Sequence, residues 1–246
     1  MTKKKDIKLS AAVVIRNEGP YLVQFFNHLR MFCDEIIVVD QQSTDNSLRC
    51  AATFADKVFV SPNVGWNELD KWFAVSQADN DWVVILDPDE RFPKETIEQL
   101  PEAVDRAIKK GAEGVRFKVR TFWDGYFLKH GEIEQIRIIK KGTPAPNRIH
   151  TNFNPKSVID APLIQLHIKD FGKHKVRLKK RQKLKYAPEE EEDDRIKRNE
   201  NDFVAEINDK LTEEKRNWVP VRKSIIKKVK ECGEYVFVTK KKNDDS

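Results

Sequence analysis

The chain has 246 residues, enough for one domain with a sizeable core and an appendage but short for two full domains. Its 46 lysines and arginines against 40 acidic residues give a net charge of +6, which permits a polyanionic partner without requiring one. Three cysteines without a CxxC spacing exclude a closed disulfide framework and are typical of reduced thiols. No stretch approaches the roughly 20 apolar residues of a membrane span, and the charged N-terminus lacks the apolar core of a signal peptide. We therefore expect a cytoplasmic protein, with contact to the inner face of a membrane left open.

Strand and helix patterns alternate through the first 90 residues. Continuous apolar runs predict buried strands, and apolar residues spaced three and four apart predict helices between them. This alternation predicts a mostly parallel sheet with helices on both faces, a fold that places ligands at the carboxyl ends of its strands. The predicted strands are 9–15, 35–40, 57–60 and 82–86, and the predicted helices are 21–32, one from about 47, and 69–78.

The pattern changes after Arg91. A helix over 95–110 ended by Gly111 precedes alternating strands at 114–122 and 135–140, a proline-containing loop over 142–155, and a strand at 163–168. These elements predict a mixed or antiparallel extension of the sheet.

The chain after residue 170 is dominated by charge. Residues 173–185 contain eight lysines or arginines, and six acids follow at 189–194. The basic segment suits an anionic surface, phosphorylated glycan or nucleic acid, and it also suits a solvated helix face. We expect 188–246 to form a charged, largely helical appendage.

Three carboxylates, Asp87, Asp89 and Glu90, follow directly on the strand at 82–86. If the chain stays extended, Asp87 and Asp89 share a face about 7 Å apart. Carboxylates converging at a strand end suit Mg²⁺ or Mn²⁺, which commonly complete their coordination with phosphates and water. The competing interpretation is a solvated acidic turn that pivots on Pro88.

Three stretches together carry a family resemblance, and they lie at 12–18, at 34–45 and at 82–90. Their sequences, AVVIRNE, DEIIVVD with a Ser-Thr-Asp turn, and WVVILDPDE, resemble the successive motifs of family 2 glycosyltransferases with a GT-A fold. Small lipopolysaccharide core glucosyltransferases show a similar order. The resemblance covers about residues 8–187, and implies a nucleotide-binding half at 8–92 and an acceptor half at 93–187. Asp87-Pro88-Asp89 stands where such enzymes carry a DxD motif.

The resemblance implies a divalent cation, Mn²⁺ or Mg²⁺, held between carboxylates and the donor's diphosphate. Asp89 is the implied metal ligand, and Asp87 is implied to face the ribose or the metal. His167 and His150 are candidates for metal or phosphate contacts, because imidazole ligates when neutral and pairs with phosphate when charged. A lone histidine can equally be a satisfied structural residue.

The resemblance also implies a nucleotide-sugar donor, a UDP-sugar. Asp40 is implied to accept a hydrogen bond from an N–H of the base, although capping of the next helix would also explain it. Lys71 stands where the family usually has an arginine near the diphosphate, and a plain surface lysine is the alternative. The residues expected to border the nucleotide, mostly through their backbone, are Arg16, Asn17 and Glu18.

An inverting single displacement needs a carboxylate near the acceptor hydroxyl. The family's Arg-Ile-His stretch is usually followed by Glu, but here Thr151 follows His150. The candidate bases are Glu90, Asp124 and Glu132, and Arg137 and His150 are expected on the acceptor side.

The acceptor itself, a glycan, a lipid-linked sugar or another molecule, is left open, as is the oligomeric state. Two other functions also stay open: a non-catalytic nucleotide-sugar-binding protein, and a nucleotidyltransferase, which would want a glycine-rich triphosphate loop after the first strand.

Overall fold

The computed structural model describes residues 7–63, 67–123, 126–127, 133–144, 153–169 and 219–220. They form one mixed sheet with helices packed on it. In chain order the elements are β1 (Leu9–Ile15), α1 (Gly19–Leu29), β2 (Glu35–Asp40), α2 (Ser47–Phe54), β3 (Lys57–Val60), α3 (Glu68–Ser76), β4 (Trp82–Ile85), β5 (Glu90–Arg91), α4 (Lys94–Lys109), β6 (Gly114–Trp123), β7 (Tyr126–Phe127), β8 (Ile133–Lys140), β9 (Val158–Lys169) and β10 (Val219–Pro220).

The first four strands form the parallel half of the sheet, in the order β3-β2-β1-β4. Every residue of β1 is buried, as its apolar run predicts for a central strand covered on both faces. Its alternate residues enter two different cores. Ala11, Val13 and Ile15 pack with α1, α2 and α4, whereas Ala12 and Val14 pack with α3. The predicted parallel sheet with helices on both faces is therefore confirmed.

The second half of the sheet is mixed, as predicted. β8 pairs antiparallel with β4 and β6, β6 pairs parallel with β9, and β9 pairs antiparallel with β5. The full order is β10-β3-β2-β1-β4-β8-β6-β9-β5, with β7 paired to β6. The return of β9 to the short strand β5 brings the late part of the chain against the acidic segment that follows β4.

The predicted helix at 95–110 is α4, and Gly111 follows it with a φ of 65°, a left-handed conformation that suits the residue after a helix. The predicted helix at 21–32 ends earlier, at Leu29. The described parts of the predicted loop, 142–144 and 153–155, lie in neither helix nor strand.

The basic segment 173–185 and most of the appendage 188–246 lie outside the described residues. Val219 and Pro220 belong to the appendage and pair antiparallel with the edge strand β3. Within the described part of the chain, no helix combines the length and apolar character needed to cross a bilayer. The domain boundary at residue 187 stays a prediction.

Candidate active site

The acidic segment after β4 is a turn. The Glu90 N–H donates to the Asp87 carbonyl at 2.9 Å, and the Asp87 N–H donates to Glu90 Oε2 at 2.9 Å. The condition under which Asp87 and Asp89 would share a face, an extended chain, is therefore not met, because Pro88 and the returning Glu90 side chain bend the chain. The competing interpretation, a turn at Pro88, matches the backbone. Glu90 is only 3% exposed, so the turn is anchored in the protein on that side, whereas Asp89 on the other side is exposed.

Lys71 on α3 reaches this turn and forms an ion pair with Asp87, with 2.7 Å between Nζ and Oδ1. The lysine that the family resemblance places near the donor's diphosphate therefore contacts the acidic segment. Burial opposes ionisation of Asp87, but the Lys71 ammonium outweighs it and holds the pKa of that carboxyl below its ordinary value. The pair sets a cation and an anion side by side at the carboxyl end of β4.

Asp89 lies on the exposed side of the same turn and faces His167 of β9, with 3.2 Å between Oδ2 and Nε2. The pairing of β5 with β9 sets this contact, since Glu90 lies opposite His167 and the Ile168 N–H donates to the Asp89 carbonyl at 2.8 Å. Two ligands at right angles on bonds of about 2.1 Å lie about 3 Å apart, so the two side chains fit neighbouring positions on one small cation.

The described residues contain no group of three or more His, Cys, Asp or Glu side chains that could hold a metal by themselves. Asp89 and His167 form a two-ligand set, with Asp87 two residues away and paired to Lys71. Mg²⁺ and Mn²⁺ are commonly bound by one or two protein ligands together with substrate phosphates. The donor set therefore fits a cation that binds with a phosphorylated ligand.

Glu90 and Arg137 form a buried ion pair behind the turn. The Arg137 guanidinium also donates to the side-chain oxygens of Gln165 and Gln135. Burial, together with the neighbouring Asp87 charge, raises the pKa of Glu90 to about 7. Arg137 was expected on the acceptor side, but the residue is only 6% exposed and its guanidinium points to Glu90.

Asp40 ends β2 and is 1% exposed. Its Oδ2 accepts the Ser43 N–H at 2.9 Å, which fixes the Ser-Thr-Asp turn and does not cap α2. Its Oδ1 is buried without a hydrogen-bond partner among the described residues. Burial raises the pKa of Asp40, and the hydrogen bonds from Ser43 only partly oppose it.

A second buried carboxylate, Asp70, lies near Asp40 and was not predicted as a site residue. It accepts hydrogen bonds from the Gln41 amide at 2.6 Å and the Ser61 hydroxyl at 3.0 Å, while the Ser61 N–H donates to the Asp40 carbonyl at 2.9 Å. Gln41 and Ser61 come directly after β2 and β3, and Asp70 precedes Lys71. That position after parallel strands was the signal that could have revealed them.

The segment after β1 is joined to the Ser-Thr-Asp turn. Asn17, with a φ of 53°, accepts the Thr44 N–H at 2.8 Å and donates its own N–H to the Ser43 hydroxyl at 3.0 Å. The Glu18 N–H donates to the Ser47 hydroxyl at 2.8 Å, and the Arg16 side chain is exposed. These three residues lie at the carboxyl end of β1, beside Asp40, as the sequence predicts. Asp124, Glu132 and His150 lie outside the described residues.

The family model described as "Glycosyl transferase family 2" matches residues 10–159, more than half of the chain. The chain belongs to glycosyl transferase family 2. The matched range runs from β1 into β9 and includes Asp40, Lys71, Asp87 and Asp89. The resemblance inferred from the ordered motifs is thereby confirmed, and with it the α/β fold of GT-A type.

Relatives within the glycosyltransferases are partial matches. An uncharacterised glycosyltransferase of Rickettsia conorii is 35% identical over 100 residues, which cover 41% of this chain and 35% of the relative. The lipopolysaccharide core biosynthesis glycosyltransferase LpsC of Rhizobium meliloti is 29% identical over 144 residues, covering 55% of this chain and 52% of LpsC. The aligned regions thus span about a third to a half of these relatives.

The structure of S. aureus TarS residues 1–349 is also similar. It has a TM-score of 0.46 and 17% identity, and the similarity covers 66% of this chain and 60% of that one. A second structure, of the same TarS fragment in complex with UDP-GlcNAc, gives the same TM-score and identity over 66% of this chain and 59% of that one.

Proposed function

We propose that this family 2 member transfers a sugar from a nucleotide-sugar donor, a UDP-sugar, to a glycan, lipid-linked sugar or other acceptor, with Mn²⁺ or Mg²⁺ and inversion at the sugar. The observation that carries the proposal is one arrangement at the carboxyl edge of the parallel strands. Three features lie there: a buried oxygen of Asp40 that has no partner among the described residues, the Lys71–Asp87 pair and the Asp89–His167 pair. That edge is where open α/β sheets bind their ligands.

Asp40 is proposed to hold the base of the donor. Its Oδ1 has no hydrogen-bond donor within the described part of the chain, and the imino N–H of uracil would supply one. Beside it lies a hydrogen-bonded polar cluster formed by Asp70, Gln41 and Ser61. Lys71 is proposed to contact the diphosphate, which would compete with Asp87 for its ammonium group.

Asp89 and His167 are proposed to hold the cation, with Asp87 as a nearby carboxylate. Bound there, the ion would stabilise the charge of the departing diphosphate as a Lewis acid. The protein's own contribution is to hold the carboxylate and the imidazole 3.2 Å apart before the donor arrives.

The catalytic base is proposed to be Asp124 or Glu132, and Glu90 is the third candidate. Both oxygens of Glu90 are engaged, one by the Asp87 N–H and one by Arg137, and the side chain is buried. This geometry favours a role for Glu90 in holding the turn. His150 stays a prediction for the acceptor side.

The family match weakens the nucleotidyltransferase alternative, and Arg16-Asn-Glu-Gly-Pro offers no glycine-rich triphosphate loop. A non-catalytic binder would share every donor contact described above. It is separated from an enzyme by screening nucleotide sugars for metal-dependent hydrolysis of the donor, which a pure binder would not perform.

The proposal is tested by calorimetric titration of UDP with and without Mn²⁺. We expect Mn²⁺ to strengthen UDP binding, and Asp89→Ala to weaken the Mn²⁺-dependent binding by at least about tenfold, since ligand loss at a two-ligand site removes much of the metal affinity. The matched control is Asp105→Ala on α4, a carboxylate that pairs with Lys109 one helical turn away. Metal-independent UDP binding that is unchanged by Asp89→Ala would sink the site assignment.

A further inference from the structure

The pairing of β8 with β6 is irregular at Arg137. Val115 of β6 pairs with Ile138, but the next residue, Arg116, pairs with Ile136. Arg137 is therefore the extra residue of a β-bulge. Bulges bend a strand and redirect a side chain, and they are enriched near active sites. Here the bulge coincides with an arginine that is turned into the protein behind the Asp87–Glu90 turn.

The contacts of Arg137 form a continuous path to the turn. Its guanidinium donates to Oε1 of Glu90, and the other oxygen of Glu90 accepts the Asp87 N–H at 2.9 Å. Gln135 and Gln165 accept further donors of the guanidinium and hold its plane. The orientation of Arg137 thus fixes the Glu90 carboxylate, which in turn fixes the backbone that carries Asp87 and Asp89.

A different arginine holds the remainder of the turn. Arg91 donates to the carbonyls of Pro88 at 2.8 Å and of Glu90 at 2.7 Å, and its guanidinium lies 5.0 Å from the Phe25 ring centroid. Arg91 therefore acts on backbone carbonyls, and the carboxylate of Glu90 is left to Arg137. The two arginines have separate tasks.

The stability of the fold alone is a weak explanation for the buried Glu90–Arg137 ion pair. Replacing a buried ion pair by apolar side chains of similar volume is often neutral or stabilising, because desolvation of both charges offsets their attraction. Arg137, Glu90 and Gln165 are all nearly fully buried, so their desolvation is extensive. A rigidly held carboxylate behind the turn can fix the backbone that carries the proposed metal ligands, whereas an apolar side chain cannot.

We propose that Arg137 is a positioning residue for the metal and diphosphate site. Through Glu90 it sets the Asp87–Glu90 turn in the geometry that lets Asp89 meet His167 before the donor binds. The inference rests on the proposed function, because it assigns Arg137 a part in the same site. Residues that orient metal ligands from behind commonly change metal affinity by about 10–100-fold when they are replaced.

The test compares Arg137→Lys with Arg116→Lys in the full-length chain. Lysine keeps the charge but cannot reach Glu90, Gln135 and Gln165 together. Arg116 is an arginine on the neighbouring strand with surface partners, Glu134 and Asp160. We expect Arg137→Lys to weaken Mn²⁺ binding about tenfold in saturating UDP. Electron paramagnetic resonance of free Mn²⁺ measures this binding. Arg116→Lys should leave it unchanged.

A second readout needs neither metal nor donor. Amide hydrogen exchange at Asp87 should be faster in Arg137→Lys than in wild type or Arg116→Lys, because the acceptor of that N–H is no longer held. Where Arg137→Lys fails to fold, Glu90→Gln replaces it. A glutamine of nearly the same volume cannot accept from both the Asp87 N–H and Arg137, so the same two changes are expected.

Three results separate the outcomes. Weaker Mn²⁺ binding with faster Asp87 exchange supports the proposal. A lower melting temperature with unchanged Mn²⁺ affinity shows a purely structural pair and overturns it. Absence of Mn²⁺-dependent UDP binding in the wild type overturns the proposed function itself, whichever way Asp87 exchange responds to Arg137→Lys.

Discussion

Asp40 and Glu90 are both buried carboxylates, but their surroundings differ. Glu90 is matched by Arg137 and the Asp87 N–H, so each of its oxygens has a donor. Asp40 has the Ser43 N–H on one oxygen and no partner on the other within the described residues. An unsatisfied buried acceptor costs on the order of 1–3 kcal/mol, which a ligand bearing an N–H would recover. The two carboxylates are thus suited to different tasks, Glu90 to holding the turn and Asp40 to binding.

Asp40→Asn tests this difference. The amide keeps the size of the side chain but can present a donor where the base is expected to present its own. We expect UDP affinity to fall at least about tenfold. The melting temperature should change little or rise, because a neutral amide replaces a buried carboxylate that has too few hydrogen-bond donors. Calorimetry and thermal melting measure the two effects. Wild-type affinity in Asp40→Asn, with Asp105→Asn as surface control, would refute base recognition by Asp40.

The residue contacts differ in how far they could be predicted. Lys71 was expected near the acidic segment because the family resemblance places it close to the donor's diphosphate, and it meets Asp87 at 2.7 Å. Glu90 and Arg137 lie 47 residues apart, on strands β5 and β8, which are not neighbours in the sheet. Their contact depends on a bulge in β8, and the amino-acid pattern of an alternating strand does not reveal a bulge.

α1 is tied to the acidic turn through one histidine near its end. His28 accepts the Phe92 N–H at Nε2 over 2.9 Å, and Phe92 directly follows β5. Burial, with the Arg91 charge as the second cause, lowers the pKa of His28 to about 4 from an ordinary 6.5. The neutral ring is required, because a protonated Nε2 could not accept. This hydrogen bond between α1 and the segment after the turn therefore forms only while His28 is uncharged.

The pH dependence of stability follows with a definite sign. The folded pKa of His28 lies below its unfolded value, so the unfolded chain binds the proton more readily between pH 6.5 and 4. Stability should fall across that window on acidification, by on the order of 1 kcal/mol after allowance for partial exposure. Urea unfolding of wild type and His28→Gln, whose amide oxygen can still accept, measures it. If His28→Gln lost stability on acidification as steeply as the wild type, the effect would belong to other groups.

The two ends of the parallel strands serve different purposes. At the amino ends, Glu35 of β2 accepts from the Ser10 hydroxyl at 2.5 Å and the Asp79 N–H at 2.8 Å, and it pairs with Lys57 at 2.8 Å. This network joins β1, β2, β3 and the segment before β4. The candidate binding residues lie at the opposite ends of these strands, so the stabilising network and the candidate site are at different edges of the parallel half of the sheet.

Glu35→Ala should therefore cost stability without costing binding. Removing a largely buried carboxylate leaves the Ser10 hydroxyl and the Asp79 N–H without their acceptor and takes one of several partners from Lys57. We expect a loss of about 2 kcal/mol in the free energy of unfolding. UDP affinity of the folded fraction should match wild type. Chemical denaturation and calorimetry are the measurements, with Glu102→Ala on the surface of α4 as control. A tenfold loss of UDP affinity at constant folded fraction would contradict the separation of the two edges.

The sequence alone determined the alternation of strands and helices, the parallel half of the sheet, the family, and the places of Asp40, Lys71, Asp87 and Asp89. The fold depends on local periodicity and on the rule that parallel strands end at one edge, and the family and the expected places of Lys71 and Asp89 came from the resemblance of the ordered motifs. Only the tertiary structure decided that Asp87–Glu90 is an anchored turn, that His167 meets Asp89 through β5–β9 pairing, and that Arg137 turns inward at a bulge. These depend on strand register between distant segments, which a single sequence does not encode in any local pattern.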